Sequence, residues 1–205
     1  MTMITALDAK TALVLIDLQN SIAGLQTVHP FNDVVKNCTQ LIDAFRTKKL
    51  PVVFVRVITV GAKWTLARVE RSNMPKTEEG IREMKAKIEA TGAANIISQL
   101  EVKDGDLLIT KHTWSAFPET LLHDELQKRG ITGIVLGGVA TSIGVEATAR
   151  DASVLGYNLT FAKDAMTDLT ASGHEHSLNT IFPRIGEIDT TEAIIAKLRE
   201  LAVIS

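Results

Sequence analysis

The sequence has little of what disulfide-stabilised proteins and metalloproteins depend on. It contains one cysteine, Cys38, in 205 residues, which excludes a disulfide within the chain and favours a reducing compartment such as the cytoplasm. Neither His-Glu-x-x-His nor Cys-x-x-Cys occurs, so we expect no metal site. The glycines do not form Gly-x-Gly-x-x-Gly, a pattern that binds dinucleotides, and the sequence therefore predicts no cofactor.

An excess of one charge and long apolar runs are absent as well. The chain has 22 lysines and arginines against 24 aspartates and glutamates, and because the basic residues are scattered we expect no nucleic-acid partner. No run approaches the roughly 18 apolar residues of a membrane span, and residues 1–10 lack the pattern of a secretory signal. We expect one domain over residues 1–205, in the cytoplasm and away from membranes.

Short apolar runs alternate with helical patterns along the chain. This alternation is typical of an α/β fold with a parallel sheet, and the near-continuous hydrophobicity of three of the runs indicates burial on both faces. We therefore predict a three-layer α-β-α architecture around a six-stranded, mostly parallel sheet. The predicted strands are 11–16, 51–57, 106–110, 131–136, 159–162 and 185–188, and the predicted helices are 34–45, 78–89, 120–129, 142–155, 172–182 and 190–201.

Two charged residues and one turn lie at the predicted carboxyl ends of strands. Asp17 ends the first strand, Lys111 ends the third, and residues 141–144 follow the fourth. Strand ends meet at one edge of a parallel sheet, so these groups can converge on one crevice. A sheltered carboxylate–ammonium pair can shift both pKa values and support proton transfer. The alternative is a structural ion pair, or a strand end that simply reaches water.

The turn after the fourth strand begins a helix, whose free N–H groups can bind an anion or stabilise an oxyanion. Ordinary capping by Thr141 or Ser142 is the alternative. No Gly-x-Ser-x-Gly pattern surrounds Ser142, which disfavours a serine nucleophile. Cys38 lies on the apolar stripe of its helix, four residues after Val34, and this position predicts a core residue.

Three ordered segments resemble the motifs of the isochorismatase-like (cysteine hydrolase) family. This resemblance implies a six-stranded parallel sheet, a small-molecule substrate, and assembly into homo-oligomers, either dimers or tetramers. It also implies an aspartate–lysine–cysteine triad, whose first two members match Asp17 and Lys111. A cis peptide bond between Val139 and Ala140 is implied at the oxyanion hole. The segments are residues 13–20, 111–117, and 138–141 with 145–152.

The chain departs from the cysteine hydrolases at Gly144, which stands at the cysteine position. A thioester mechanism needs a thiolate there. Isochorismatases proper also carry glycine at this position, and they hydrolyse a vinyl ether by acid catalysis. The resemblance therefore implies a hydrolase in which Asp17 is the acid and Lys111 positions it. Yet those enzymes carry histidine where this chain has Ser142. The alternative is a catalytically inactive member of the same fold, which is a small-molecule-binding or regulatory protein.

The remaining candidates would contact the substrate. We expect the turn to hold substrate or an oxyanion. Three aromatic residues could line a pocket. Together with Lys63, Arg68 and Arg71 they would favour a carboxylate or a planar ring, and the alternative is that the set consists of solvated charges and packing aromatics. The turn residues are Val139, Ala140, Thr141, Ser142 and Gly144, and the aromatic residues are Trp64, Trp114 and Phe117.

Overall fold

The structure of the protein is a computed structural model, which describes residues 3–63 and 74–201. Within these residues, six strands form one sheet in the order β3-β2-β1-β4-β5-β6, and every neighbouring pair is parallel. The predicted parallel sheet is confirmed. The strands are β1 (Thr11–Ile16), β2 (Val52–Val57), β3 (Leu107–Lys111), β4 (Gly133–Val139), β5 (Asn158–Thr167) and β6 (Glu187–Asp189).

Helices cover both faces of the sheet, which confirms the three layers. Helices α2 and α7 contribute to the core on one face, together with Leu13 and Leu15 of β1. Helices α4 and α5 contribute to the core on the other face, together with Val14 and Ile16. The helices are α1 (Asn20–Ala23), α2 (Phe31–Thr47), α3 (Glu78–Thr91), α4 (Leu122–Lys128), α5 (Glu146–Val154), α6 (Ala171–His176) and α7 (Thr191–Glu200).

Helix α2 follows its sequence pattern closely. The residues of its apolar stripe are buried against the sheet, as expected for an amphipathic helix that covers one face. Cys38 is fully buried among them, and its thiol lies 3.5 Å from the carbonyl oxygen of Ala165. Burial raises the pKa of this thiol far above its ordinary value. The prediction that Cys38 is a core residue is confirmed.

Two strands are longer than the sequence indicated. β4 runs to Val139 and not to Leu136, because Gly137 and Gly138 continue the strand. Gly138 has φ 118°, and a Cβ there would lie 2.1 Å from the carbonyl oxygen of Ile16. Only glycine permits so close an approach of β1. β5 runs to Thr167, past its charged residues.

Two predicted helices begin or end in π-helical turns. The chain after β4 passes through a π-helical turn at Thr141–Val145 before α5 begins. Helix α6 is followed by a second such turn, Ser177–Ile181.

Among residues 3–63 and 74–201, no helix is both long enough and apolar enough to cross a bilayer. One domain over residues 1–205 stays a prediction.

Candidate active site

Asp17 and Lys111 form a buried ion pair at the carboxyl ends of β1 and β3. Lys111 Nζ lies 2.8 Å from Asp17 Oδ2, and the side chains are only 2% and 9% exposed. The two strands are separated in the sheet by β2, so the long lysine side chain spans the end of that strand. The sequence-predicted dyad is therefore brought together, in a place largely sheltered from water.

Lys111 has a partner for each of its three ammonium hydrogens. Besides Asp17, Nζ donates to the carbonyl oxygens of Thr113 at 3.2 Å and Trp114 at 2.8 Å. Both carbonyls belong to the loop after β3. An ammonium that donates to one carboxylate and two backbone carbonyls is fixed in position. Lys111 can tune Asp17, and its hydrogens are already committed to protein acceptors.

The two carboxyl oxygens of Asp17 have different surroundings. Oδ2 accepts from Lys111, whereas Oδ1 is buried without a hydrogen-bond partner among the described residues. Burial raises the pKa of Asp17 to about 6, and the neighbouring ammonium of Lys111 opposes this rise. A proton added to Asp17 belongs on Oδ1, because Oδ2 already faces a donor. The group can therefore supply a proton near neutral pH.

The backbone of Asp17 is held in an uncommon conformation. Its φ is 54°, in the left-handed region that residues other than glycine rarely occupy. Its N–H donates to Val55 O at 2.8 Å, and its carbonyl accepts from Gln19 N at 2.9 Å. The Gln19 side chain binds the end of β2 through the backbone of Val57. Such strain persists where neighbouring structure enforces it, and it is concentrated at functional sites.

Gly144 faces the ion pair. A Cβ at this position would lie 3.2 Å from Asp17 Oδ2, 3.4 Å from Lys111 Nζ and 2.9 Å from Ile16 Cγ2. The position at which the sequence resemblance implies a cysteine is thus beside the dyad. A Cβ there would be closer to Ile16 and Asp17 than side chains ordinarily approach, so glycine lets the turn lie directly against the ion pair.

The turn after β4 is fixed by groups from β5 and the segment that follows it. The peptide bond between Val139 and Ala140 is cis, as the resemblance implied. The N–H of Ser142 donates to Asp168 Oδ2 at 2.6 Å, and the Thr141 hydroxyl donates to Thr167 O at 3.0 Å. The amide of Ser142 is therefore committed to a protein carboxylate.

Asp168 was missed from the sequence. It is 1% exposed, and it also accepts from the N–H groups of Leu169 and Thr170. The predicted end of the fifth strand at residue 162 placed Asp168 well beyond the sheet. One feature of the sequence could have indicated its role: Asp168 lies two residues before the start of a helix. Thr170 caps that helix, α6, by accepting from Gly173 N.

A histidine pair adjoins the turn, and it too was missed. The Nε2 atoms of His29 and His174 lie 3.3 Å apart, and His174 Nδ1 lies 2.9 Å from Thr141 Oγ1. Burial, aided by His29, lowers the pKa of His174. The two residues are 145 positions apart in the chain, so no local pattern joins them.

Within the described ranges, no group of three or more His, Cys, Asp or Glu side chains is arranged to hold a metal ion.

The three aromatic candidates have different environments. Trp114 is 52% exposed and lines a cavity of about 490 Å³ with Arg150 and Asp151 of α5. Phe117 is buried in the core and stacks on Tyr157, with ring centroids 6.0 Å apart. Trp64 lies outside the described residues. A substrate-lining role for these residues stays a prediction.

Comparisons of the sequence point to one family. The sequence profile of the isochorismatase domain matches residues 11–193. The chain is 39% identical over 190 residues to YwoC of Bacillus subtilis strain 168, named an uncharacterized isochorismatase family protein, with 93% of this chain and 95% of YwoC covered. It is 36% identical over 202 residues to YecD of Escherichia coli O157:H7, named likewise, with 94% and 98% covered.

A solved structure agrees with these relatives. The fold is similar to that of an isochorismatase family protein from Burkholderia thailandensis, with a TM-score of 0.81 and 35% sequence identity. The superposition covers 96% of this chain and 99% of that chain. The similarity therefore extends over almost the full length of both proteins.

Proposed function

The chain belongs to the isochorismatase family, and on that basis we propose that it hydrolyses a small molecule through Asp17 and Lys111 without a cysteine nucleophile. Gly144 takes the position of the cysteine in the family's cysteine hydrolases. The proposed reaction class is the hydrolysis of a vinyl ether, or another hydrolysis in which water is the attacking group. This assignment places the chain with the members that carry glycine at that position.

One observation carries the proposal: the carboxyl group of Asp17 is buried, and one of its oxygens has no partner. Oδ1 lacks a hydrogen bond within the described part of the chain, and burial raises the pKa to about 6. A carboxyl group that serves only structure is normally saturated with hydrogen bonds. A buried carboxyl oxygen without a partner, on a residue that Gly144 faces, is suited to exchange a proton with a bound molecule.

The proposed reaction begins with proton transfer from Asp17 Oδ1 to the terminal carbon of the vinyl ether. The carbon–carbon double bond supplies the electron pair, and the ether carbon becomes an oxocarbenium ion. Water adds to that carbon and loses a proton to the Asp17 carboxylate. The resulting hemiketal breaks its bond to the ether oxygen, which gives an alcohol and a ketone. No covalent bond to the protein forms, so the missing thiol is not needed.

Lys111 and the turn support this chemistry without entering it. The ammonium of Lys111 stabilises the Asp17 carboxylate that remains after proton transfer. Because Nζ also binds the carbonyls of Thr113 and Trp114, the ammonium stays in position while Asp17 changes protonation state. The backbone of residues 139–144 then orients the substrate or the water.

The test is turnover by the wild type and the Asp17→Asn variant on isochorismate and on a panel of small amides. Asparagine cannot donate the acidic proton, so we expect activity to fall by about 10²–10⁴-fold. The wild-type rate should decrease as pH rises above about 6, because the acid must be protonated. The matched control is Asp43→Asn on the exposed face of α2. Turnover that survives Asp17→Asn would contradict the role of Asp17.

The Gly144→Cys variant probes the relation to the cysteine hydrolases. Its side chain would begin beside Asp17 and Lys111, and a gain of amidase activity would indicate an otherwise intact cysteine-hydrolase site. Gly144→Ala, which adds a Cβ without a thiol, is the control. If the wild type turns over no compound but is stabilised by one in a thermal-shift screen, the protein binds a ligand without hydrolysing it.

A further inference from the structure

Thr148 joins the two chain segments that flank the ion pair. It lies in α5 and is 1% exposed. Its hydroxyl donates to the carbonyl oxygen of Gly144 at 2.7 Å and accepts from the N–H of Ala116 at 3.1 Å. A hydroxyl has a single hydrogen, and since Gly144 O takes it, the second contact is necessarily an accepted bond. Both bonds are therefore compatible.

One of these bonds has a common local explanation, and the other does not. A threonine within a helix often donates to the carbonyl four residues earlier, as Thr148 does to Gly144. The bond from Ala116 is different, because it comes from the loop after β3, 32 residues away. Ala116 is fully buried, so its N–H cannot form a hydrogen bond with solvent instead. The hydroxyl thus links the loop after β3 to the turn after β4.

That loop also holds Lys111. Two of its carbonyls, at Thr113 and Trp114, accept from Nζ, and the N–H bound by Thr148 follows two residues later. On the other side, a Cβ at Gly144 would lie 3.4 Å from the same Nζ. Thr148 therefore joins the loop that binds the Lys111 ammonium to the turn that lies beside it.

We propose that Thr148 is a positioning residue that fixes the Lys111 ammonium relative to Asp17 by joining the loop after β3 to the turn after β4. This role rests on the proposed function for its relevance to turnover, but the geometry itself does not require the protein to be an enzyme. The hydrogen bonds of Thr148 go to the backbone of Ala116 and Gly144, so it acts through the backbone beside the ion pair.

The test is a carboxyl-carbon NMR titration of Asp17 in the wild type and in Thr148→Val, with the Asp17 resonance assigned by Asp17→Asn. Valine keeps the shape of threonine and removes both hydrogen bonds. A displaced ammonium stabilises the carboxylate less, and we expect the Asp17 pKa to rise by about one unit. Thr148→Ser should restore the wild-type value, because it keeps the hydroxyl.

Thr11→Val is the matched control. Thr11 is fully buried, and its hydroxyl has no hydrogen-bond partner among the described residues. It begins β1, at the opposite end of the sheet from Asp17. The variant should leave the titration of Asp17 unchanged. An unchanged Asp17 pKa in folded Thr148→Val, with reduced stability, would show that Thr148 is only structural and would overturn the proposal.

A second measurement applies if Thr148→Val does not fold. In the wild type, the Ala116 amide should exchange its hydrogen slowly, and Thr148→Cys, with a weaker acceptor, should speed that exchange and raise the Asp17 pKa by a smaller amount. Fast Ala116 exchange in the wild type would overturn the proposal. Because these readouts are titration and exchange, they test the role of Thr148 even in a protein with no turnover, so failure of the proposed function remains a separate outcome.

Discussion

Asp17 and Asp168 are two buried carboxylates at the same edge of the sheet, and they are bound in opposite ways. Asp168 accepts from three backbone N–H groups, whereas Asp17 has an ammonium on one oxygen and no partner on the other within the described residues. A fully hydrogen-bonded carboxylate is stable as it stands. The contrast distinguishes a carboxylate that holds a turn in place from one suited to proton transfer.

The largest expected effect follows from removing the lysine of the pair. Lys111→Met leaves Asp17 buried without its counter-charge, which should cost about 3–5 kcal/mol of unfolding free energy at pH 8. The cost should shrink towards pH 5, because the folded-state pKa of Asp17 is raised and protonation removes the buried charge. Urea unfolding at both pH values measures this.

The control for Lys111→Met is an ion pair on the surface. Lys63 lies 3.4 Å from Glu119, and both side chains are largely exposed. Lys63→Met should change the unfolding free energy by less than about 1 kcal/mol. An equal loss for Lys111→Met at pH 8 and pH 5 would mean that the destabilisation comes from lost packing and not from the charge of Asp17.

A smaller effect is expected at the other carboxylate. Asp168→Asn keeps one acceptor oxygen and turns an amide group towards backbone N–H groups, so we expect a loss of about 2 kcal/mol. Hydrogen exchange at the Ser142 amide should become faster, since Asp168 is its partner. Asp104→Asn, at an exposed site, is the control. Unchanged protection of Ser142 would refute the role given to Asp168.

The smallest effect is expected at Ser142. Its backbone N–H holds the turn, and this bond survives truncation of the side chain. Ser142→Ala should therefore change the unfolding free energy by no more than about 0.5 kcal/mol and leave turnover of any wild-type substrate within about twofold. A larger loss of turnover, measured alongside Asp17→Asn, would reinstate the serine hydroxyl as a reacting group.

The sequence predicted the elements whose structure depends on neighbouring residues in the chain. The run that ends at Asp17 and the apolar stripe that includes Cys38 were correctly interpreted, because a fully buried strand and an amphipathic helix each impose a regular pattern. The ends of β4 and β5 were placed too early. Gly137 resembles part of a turn in sequence, but a Cβ there would lie 2.9 Å from the backbone oxygen of Ala165. This close approach depends on β5, so the residues of β4 alone do not predict it.

The part of β5 that was not predicted begins with two charged residues. Lys163 and Asp164 come directly after the predicted end of the fifth strand at residue 162, yet both lie within β5. Asp164 accepts from the backbone and the hydroxyl of Thr191 at the start of α7. A charge inside a strand is acceptable when a partner from another element meets it. The partners of Asp168 and Thr148 likewise come from distant segments, so local patterns gave no sign of either.

The fixed hydrogens of Lys111 have a consequence for ligand binding. With Lys111 as an ammonium, the net charge of the pair is zero when the carboxyl group of Asp17 is ionised and +1 when it is protonated. An anion that binds beside the pair therefore binds more tightly to the protonated form. By reciprocity, its arrival makes the protein take up a proton, so its affinity should depend on pH even if no reaction follows.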